Sequence, residues 1–282
     1  MNKYNKHNSS ESKNSGHRAK KHFGQNFLID DYYINCIINS LNAQKEDYIL
    51  EVGPGLGALT KHIINDCKSF SAIEIDKDLI ENLNKKFPSI NLYNIDILKF
   101  DFEDFFKKVN QDNINNQIHN KIKVIGNLPY NISTELLFKF FDNIEYISEM
   151  HIMLQQEVVD RIIAKPNTKA YGKLSIISQY FCDIEEVVTI PPEAFQPAPK
   201  IFSKFIKLTP FAKKHNIDKV KLLNKIASSA FHMRRKVINN NLKQLLSLQE
   251  FEQLEINPKL RAEDLTLDDF LKITEYIWQR TQ

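Results

Sequence analysis

Two hydrogen-bond acceptors and an aromatic ring lie close together in the segment GNLPYNIST, between Asn127 and Tyr130. Pro129 forces the preceding residue into an extended conformation, so we expect the Leu128 carbonyl to stay free beside the Asn127 side-chain oxygen. Two such acceptors can hold an amine with two N–H donors, such as that of adenine, while Tyr130 stacks on the base. The alternative is a turn in which Asn127 bonds its own backbone and Tyr130 packs into the core.

A second group of residues predicts a nucleoside-containing ligand. The segment LEVGPGLGALT follows a predicted strand and places Gly53 and Gly55 in a tight turn, where a ligand can lie against bare backbone. Glu74 ends the next predicted strand, where a carboxylate can accept hydrogen bonds from both ribose hydroxyls. Asp96 is predicted to end the third strand, within reach of an adenine amine. The alternative for both acids is a solvated position at the end of a strand.

The glycine turn alone leaves several nucleoside ligands open. The segment fits the dinucleotide fingerprint, so an NAD-binding module is one interpretation. Glu51 before the turn and Pro54 inside it are more typical of a methyltransferase loop, in which a sulfonium is bound. The turn contains no lysine, which excludes a nucleotide-triphosphate P-loop.

Strand and helix patterns alternate from residue 48, which predicts a doubly wound, Rossmann-like α/β sheet whose strand ends bring these residues together. The predicted strands are 48–53, 70–76, 91–97, 123–128 and 150–155, and the predicted helices between them include 59–66, 77–87 and 134–144.

The second half of the chain departs from this alternation. Two strand patterns at 185–191 and 200–209 follow each other directly, which predicts an antiparallel hairpin at one edge of the sheet. The Asn-rich stretch 107–121 is predicted to be a surface excursion without chemistry. After Pro210 the chain predicts only helices, at about 216–230, 234–247 and 267–280. We therefore expect three parts: a basic flexible tail (1–19), a ligand-binding α/β domain (20–209) and a small all-helical domain (210–282).

Composition is that of a soluble globular protein. The net charge is only +3, but residues 1–22 carry six Lys or Arg against one acid, and residues 213–243 carry nine against Asp218. Two basic segments around an acidic body are typical of proteins that bind a polyanion, although a solvated helix face would also explain them. The start of the chain lacks the apolar centre of a secretory signal and no run is long enough to span a membrane, so we expect a cytoplasmic protein. The spacing of the three cysteines predicts neither a disulfide framework nor a zinc site.

Seven segments in this order resemble the KsgA-type small-subunit ribosomal RNA adenine N6,N6-dimethyltransferases. The resemblance covers nearly the whole chain from Lys20 and implies a class I methyltransferase sheet with S-adenosyl-L-methionine as the cofactor and no metal. The segments are FGQNFLID (23–30), EVGPGLGALT (51–60), IEID (73–76), GNLPYNIST (126–134), KAYGKLS (169–175), AFQPAPKI (194–201) and AFHMRRK (230–236).

The resemblance also implies a role for individual residues. The cofactor would be bound by residues from the N-terminal segment, the glycine turn and three strand ends, namely Asn26, Leu28, Gly53, Gly55, Glu74, Asp96 and Asn127. The target adenine would be held by Asn127, Leu128, Pro129 and Tyr130, with Phe195 as a candidate for its other face. Arg234, Arg235 and Lys236 would contact phosphates of the RNA.

The implied substrate is a pair of adjacent adenosines in a hairpin loop near the 3′ end of small-subunit 16S rRNA. Each adenosine would receive two methyl groups, within the 30S particle or its precursor, from an enzyme that is monomeric. Phe202 and Met233 stand where this resemblance leads us to expect polar residues. Two further alternatives stay open: an enzyme of the antibiotic-resistance type that acts on large-subunit rRNA, and a 30S assembly factor for which methylation is secondary.

Overall fold

The computed structural model describes residues 19–20, 23–111, 120–213 and 215–282. The predicted tail, 1–19, therefore lies almost entirely outside the described residues, as does most of the predicted excursion. The strands are β1 (Phe27–Leu28), β2 (Tyr48–Val52), β3 (Ser69–Glu74), β4 (Asn91–Asn94), β5 (Ile122–Asn127), β6 (Ile147–Gln155), β7 (Cys182–Ile190), β8 (Phe195–Gln196) and β9 (Ser203–Pro210). The helices are α1 (Asp31–Leu41), α2 (Thr60–Ile63), α3 (Lys77–Lys86), α4 (Phe102–Val109), α5 (Ser133–Asp142), α6 (Gln156–Ile162), α7 (Lys173–Phe181), α8 (Ile217–Ala230), α9 (Ile238–Leu242), α10 (Leu248–Gln253) and α11 (Leu267–Arg280).

The main sheet has seven strands in the order β4-β3-β2-β5-β6-β9-β7. Strands β2 to β6 are parallel, whereas β9 pairs antiparallel with both β6 and β7. The predicted α/β fold with an antiparallel pair at one edge is confirmed. The strand order reverses between β2 and β5, and ligands of doubly wound sheets bind at the carboxyl ends of the strands beside such a reversal.

Both faces of the sheet are covered, because the central strands contribute side chains to an apolar core on each face. Side chains alternate along a strand. Leu50 and Val124 accordingly belong to one apolar core, whereas Ile49 and Ile125 belong to the other. This explains why the run YILEV is buried throughout and reads as a central parallel strand.

Helices α8 to α11 follow the sheet, as predicted, and their apolar side chains continue one of the two sheet cores. Phe270 stacks on Phe231, which in turn contacts the edge of Tyr171 in the loop before α7. The helical segment thus packs directly on the sheet unit. The division into domains at residue 210 remains a prediction.

Three predicted elements differ from the structure. The predicted helix 234–247 is wrong, since residues 231–236 form turns and only Ile238–Leu242 is helical. Residues up to Val109 of the predicted excursion belong to α4. Asn110 and Asn120 bond each other, with the Asn120 amide donating to Asn110 Oδ1 at 3.0 Å. Strand β4 ends at Asn94, two residues before Asp96.

Gly126 is the tightest point of the central sheet. It lies opposite Val52 in the β2–β5 register, and a Cβ at this position would lie 2.3 Å from the Val52 carbonyl oxygen. That oxygen belongs to the backbone of a buried strand and cannot move aside. A side chain here would therefore push β2 and β5 apart, next to the residue that begins the candidate site.

We expect Gly126→Ala to lower the free energy of unfolding by about 3 kcal/mol or more, because overpacking against fixed backbone strains the sheet. Gly172→Ala is the matched control, since no atom lies within 4 Å of a Cβ there. Urea unfolding of both variants measures the difference. Equal destabilisation by the two substitutions would contradict this account of the sheet.

Candidate active site

A cleft opens at the carboxyl ends of β2, β3 and β5, where the strand order reverses. The space inside it, with the open solvent at its mouth included, is about 1020 Å³. One wall is the N-terminal segment 23–28, and the others are the glycine turn and the strand ends. The cleft wall also contains Glu51 of the predicted methyltransferase loop and ten of the predicted site residues: Asn26, Leu28, Gly53, Gly55, Glu74, Asp96, Asn127, Leu128, Pro129 and Tyr130.

Glu74 is fixed at the end of β3 by backbone donors. One carboxylate oxygen accepts hydrogen bonds from the amides of Ile75 and Asp76, both at 2.9 Å, and the other accepts from the Gly55 amide at 3.3 Å. Burial raises the pKa of Glu74, although these hydrogen bonds oppose the rise. The result is a rigid carboxylate in the cleft wall that can accept further hydrogen bonds from hydroxyl groups.

The glycine turn fits a ligand that lies flat on the backbone. Gly55 has a φ of +58°, and a Cβ there would lie 2.9 Å from the ring of Phe27. The turn is therefore closed on one side by Phe27 from β1 and held on the other by Glu74. Bare backbone, a fixed carboxylate and a neighbouring aromatic ring together suit the ribose and base of a nucleoside.

Asp96 lies in the cleft wall, as predicted, but in a different local structure. It is the N-cap of a short 3₁₀ helix, Ile97–Lys99, and its Oδ1 accepts a hydrogen bond from the Leu98 amide at 2.9 Å. This bond fixes the carboxylate in one orientation. The strand-end position predicted for Asp96 is thus corrected, while its place in the cleft is retained.

The N-terminal segment is held across the cleft by contacts that the sequence does not indicate. Lys20 Nζ lies 2.6 Å from a carboxylate oxygen of the fully buried Asp76, and the Gln25 side chain donates to the other oxygen at 2.9 Å. Lys20 also pairs with Asp78 at 2.7 Å. These partners are more than 50 residues apart in the chain, so no local pattern could reveal them.

Asn127 ends β5 with its side chain in a fixed orientation. Its Nδ2 donates to the carbonyl of Asn26 at 2.8 Å, which turns Oδ1 away from the N-terminal segment. The Leu128 amide donates to the Met153 carbonyl at 3.2 Å, and no donor within the described ranges reaches the Leu128 carbonyl. Neither the Asn127 Oδ1 nor the Leu128 carbonyl accepts a hydrogen bond from a residue of the described ranges, so both oxygens at the end of β5 are available as acceptors.

Tyr130 is held by a partner from the edge of the sheet. Its hydroxyl lies 2.6 Å from Oγ of the buried Ser203, the first residue of β9. Burial raises the pKa of Tyr130, which keeps the phenol neutral. Sequence reasoning missed Ser203, since 73 residues separate the pair. Helix α5 begins at Ser133, whose hydroxyl donates to the Tyr130 carbonyl at 3.1 Å.

Phe195 is not brought into the cleft. It belongs to β8, opposite Leu28 of β1, and only 3% of its surface is exposed. The ring packs in the apolar core that contains Ile34 and Ile190. The expectation that Phe195 faces a bound base is therefore corrected, because the β1–β8 pairing buries the ring against its neighbours.

Glu51 is a buried carboxyl that borders the cleft. Its Oε2 accepts a hydrogen bond from the Thr60 hydroxyl at 2.6 Å. Burial raises the pKa of Glu51 to about 7; the Thr60 hydrogen bond opposes this rise, and the charge of Glu74 adds a smaller contribution to it. Because the pKa of this carboxyl lies near neutral pH, the stability of this region depends on pH.

The folded chain binds this proton more tightly than the unfolded chain, whose glutamates ionise near pH 4.5. Its stabilising effect is complete below that pH and is lost as the pH rises to about 7. Between pH 4.5 and 8 we expect the free energy of unfolding of the wild type to fall by on the order of 3 kcal/mol more than that of Glu51→Gln. Urea unfolding at both pH values measures this, with the exposed Glu46→Gln as the control. A pH-independent difference would contradict the buried proton.

The three predicted RNA contacts have different surroundings. Nη2 of Arg234 donates to the carbonyls of Lys169 and Tyr171 at 2.7 and 3.3 Å, and lies 3.2 Å from Glu263. Arg234 thus joins the loop before α7 to the C-terminal segment. Arg235 and Lys236 are exposed, and neither forms an ion pair with a residue of the described ranges. The structure gives Arg234 a structural set of partners that the sequence did not predict.

Within the described ranges, no helix has the length and apolar character of a membrane span, and no cluster of three or more histidines, cysteines or acids could hold a metal ion. The three cysteines are free thiols.

Known proteins share this architecture and these motifs. Residues 16–279 match the profile of a family described as Ribosomal RNA adenine dimethylase. The chain is 41% identical over 273 residues to Ribosomal RNA small subunit methyltransferase A of Haemophilus ducreyi, covering 95% of this chain and 93% of the relative. It is 42% identical over 267 residues to the protein of the same name from Psychromonas ingrahamii, covering 93% and 95%.

Two solved structures share the fold. A dimethyladenosine transferase from Plasmodium falciparum superposes with a TM-score of 0.75 at 22% identity, covering 90% of this chain and 98% of the other. The 23S rRNA methyltransferase ErmE superposes with a TM-score of 0.66 at 19% identity, covering 90% and 100%. At these identities the two structures support the fold alone.

Proposed function

The chain belongs to the ribosomal RNA adenine dimethylase family, and we propose that it transfers methyl groups from S-adenosyl-L-methionine to N6 of two adjacent adenosines of small-subunit rRNA. The target pair lies in a hairpin loop near the 3′ end of 16S rRNA, and each adenosine becomes N6,N6-dimethyladenosine. The substrate is the 30S particle or its precursor. We further propose that the enzyme acts as a monomer in the cytoplasm and also contributes to 30S assembly.

The orientation of the Asn127 amide carries this proposal. Because Nδ2 is committed to the Asn26 carbonyl at 2.8 Å, Oδ1 can only act as an acceptor towards the cleft. The Leu128 carbonyl beside it is a second acceptor. A primary aromatic amine has two N–H donors, and two fixed acceptors hold both of them, so that the nitrogen lone pair is turned out of the plane of the base.

The residues of the other half of the cleft fit the cofactor. Glu74 would accept from the ribose hydroxyls, Asp96 from the adenine amine, and Gly53 and Gly55 would lie against the ligand through bare backbone. Asn26 and Leu28 would cover it from the N-terminal segment. When bound, S-adenosyl-L-methionine supplies an electrophilic methyl group on a sulfonium.

We assign the protein a role of positioning and electrostatics rather than of acid–base chemistry. Asn127 and Leu128 hold the nitrogen, Pro129 stiffens the backbone between them and the ring, and Tyr130 offers a stacking face. A cofactor held by Glu74, Asp96 and the glycine turn would supply the methyl group to the nitrogen held by Asn127 and Leu128, and that nitrogen would release one proton to water. The acids of the cleft wall, Glu51, Glu74 and Asp96, all have other partners.

The flexible loop of an rRNA hairpin suits this cleft, because a single-stranded base can be turned into a pocket at little cost. Residues of the basic segment would hold the RNA backbone nearby. The members of that segment have different roles. Arg234 stabilises the fold through its bonds to the carbonyls of Lys169 and Tyr171, whereas Arg235 and Lys236 contact phosphates.

In the double variant Arg235→Ala and Lys236→Ala, two phosphate contacts are lost. We therefore expect the slope of log K against the logarithm of the salt concentration to become less steep by about 1.5. Arg234→Ala should instead lower the melting temperature and leave the salt slope nearly unchanged. The measurement is the affinity for 30S particles over a series of KCl concentrations. If the double variant has the same salt slope as the wild type, Arg235 and Lys236 do not contact phosphates of the RNA.

Subunit choice and cofactor choice test the proposed function. The protein should incorporate labelled methyl groups from S-adenosyl-L-methionine into unmethylated 30S particles and not into 50S particles. It should bind S-adenosyl-L-methionine and not NAD. Methylation of 50S particles alone would support the large-subunit alternative, and binding of NAD alone would support the dinucleotide alternative. A catalytically inactive variant that still binds immature 30S particles would support the assembly role.

A further inference from the structure

We infer that Phe202 is a stacking platform for the nucleotide that flanks the target adenosine. This inference rests on the proposed function and extends the binding site beyond the cleft. Phe202 is 48% exposed and its neighbour Ile201 is 39% exposed, and Phe202 is one of three exposed aromatic side chains among the described residues, with Tyr32 and Phe211. An exposed aromatic ring at the edge of a nucleic-acid site is typical of base stacking.

The backbone of Phe202 is fixed at the edge of the site. Its carbonyl accepts a hydrogen bond from the Gln156 amide at 3.0 Å, directly after β6. The next residue, Ser203, is fully buried, lies opposite Gln155 and Ile190, and contacts the Tyr130 hydroxyl at 2.6 Å. The Cα of Phe202 therefore lies within about 10 Å of the Tyr130 hydroxyl, since consecutive Cα atoms are about 3.8 Å apart.

The short distance between Phe202 and the proposed adenine site indicates that the ligand of Phe202 is the next nucleotide of the same RNA strand. A strand of RNA that places one base against Tyr130 must leave the cleft through its sugar and phosphate, and the flanking base then lies at the rim. The exposed Lys200, two residues before Phe202, can contact a phosphate of that strand. Lys204 is already paired, at 2.9 Å from both Asp160 and Glu186. An exposed aromatic ring two residues from Lys200, which forms no ion pair with the part of the chain that the structure describes, suits a nucleotide better than an apolar protein surface.

Fluorescence of 2-aminopurine tests this stacking. Two synthetic hairpins of the 16S loop carry 2-aminopurine on the 5′ or the 3′ side of the adenosine pair, and each is titrated with protein. We expect quenching at one of the two positions with the wild type and Phe202→Tyr. Phe202→Ala and Phe202→Leu should lose this quenching and bind the hairpin about 10-fold more weakly. Leu keeps the apolar bulk, so it separates stacking from general burial.

Phe211→Ala is the matched control. Phe211 is also an exposed ring, 44% accessible, and follows the far end of the eight-residue β9, about 26 Å from its start. Its substitution should leave quenching and affinity unchanged. Unchanged quenching in Phe202→Ala and Phe202→Leu, absence of quenching in the wild type, or equal losses in Phe211→Ala would overturn the inference.

The same mixtures, with labelled S-adenosyl-L-methionine added, separate this inference from the proposed function. If the wild type methylates the hairpin adenosines and quenching does not depend on Phe202, only the stacking platform is wrong. If the wild type methylates neither the hairpin nor 30S particles, the proposed function itself is wrong, whatever Phe202 does.

Discussion

Asn127→Ala should lower kcat for methyl transfer by about 10²-fold or more, by analogy with the loss of one transition-state hydrogen-bond partner. The substitution removes the acceptor that holds the target amine. It also removes the donor to the Asn26 carbonyl, so part of the N-terminal segment loses its anchor. We therefore expect a smaller, secondary loss of cofactor affinity. Single-turnover methylation of 30S particles at saturating cofactor isolates the chemical step.

Asn143→Ala is the control for this prediction. Asn143 is also an asparagine whose Nδ2 donates to a backbone carbonyl, that of Lys139 at 2.9 Å, but it lies at the end of α5 and outside the cleft. Its replacement should leave kcat unchanged. A near-normal kcat in Asn127→Ala would remove Asn127 from the role we propose for it.

Glu74→Ala should raise the Kd for S-adenosyl-L-methionine by about 100-fold. The loss of two hydrogen bonds from ribose hydroxyls to a carboxylate accounts for this magnitude. The same change releases the Gly55 amide, 3.3 Å from the carboxylate, so the glycine turn should also become less ordered. Isothermal titration with the cofactor measures the effect, and hydrogen exchange at the glycine turn reports the loosening.

The raised pKa of Glu74 also predicts that cofactor binding depends on pH. Burial raises the pKa of Glu74, so its carboxylate takes up a proton at a higher pH than an exposed glutamate does. Affinity for the cofactor should fall as the pH drops through that pKa, and Glu74→Ala should lack this dependence. The exposed Glu81→Ala on α3 is the control, with an unchanged Kd. Wild-type affinity in Glu74→Ala would exclude the ribose contact.

The residues that sequence reasoning located correctly share one property. Gly53 directly follows β2, and Glu74 and Asn127 are the last residues of β3 and β5. The carboxyl ends of neighbouring parallel strands meet at one edge of the sheet. Strand patterns therefore place such residues together without knowledge of the packing. The same logic explains why the boundaries of β2, β3 and β5 are close to those predicted.

The residues that it missed or misplaced depend on contacts between distant parts of the chain. Ser203 meets Tyr130 and Asp76 meets Gln25 only after the sheet and the N-terminal segment have come together. Phe195 is buried because β8 pairs with β1, a two-residue pairing with no periodic pattern. Arg234 bonds backbone carbonyls of a remote loop, so the members of a basic run that looks uniform in the sequence have different surroundings in the structure.

The identity of the methylated nucleoside tests the central claim most directly. Unmethylated 30S particles are incubated with the protein and labelled S-adenosyl-L-methionine, and the rRNA is then digested and its labelled nucleosides are mapped. The proposed clamp predicts N6,N6-dimethyladenosine at two adjacent positions in the 3′ hairpin loop, and little or none with Asn127→Ala. Label on another base, on a ribose or on adenosines outside that loop would contradict it.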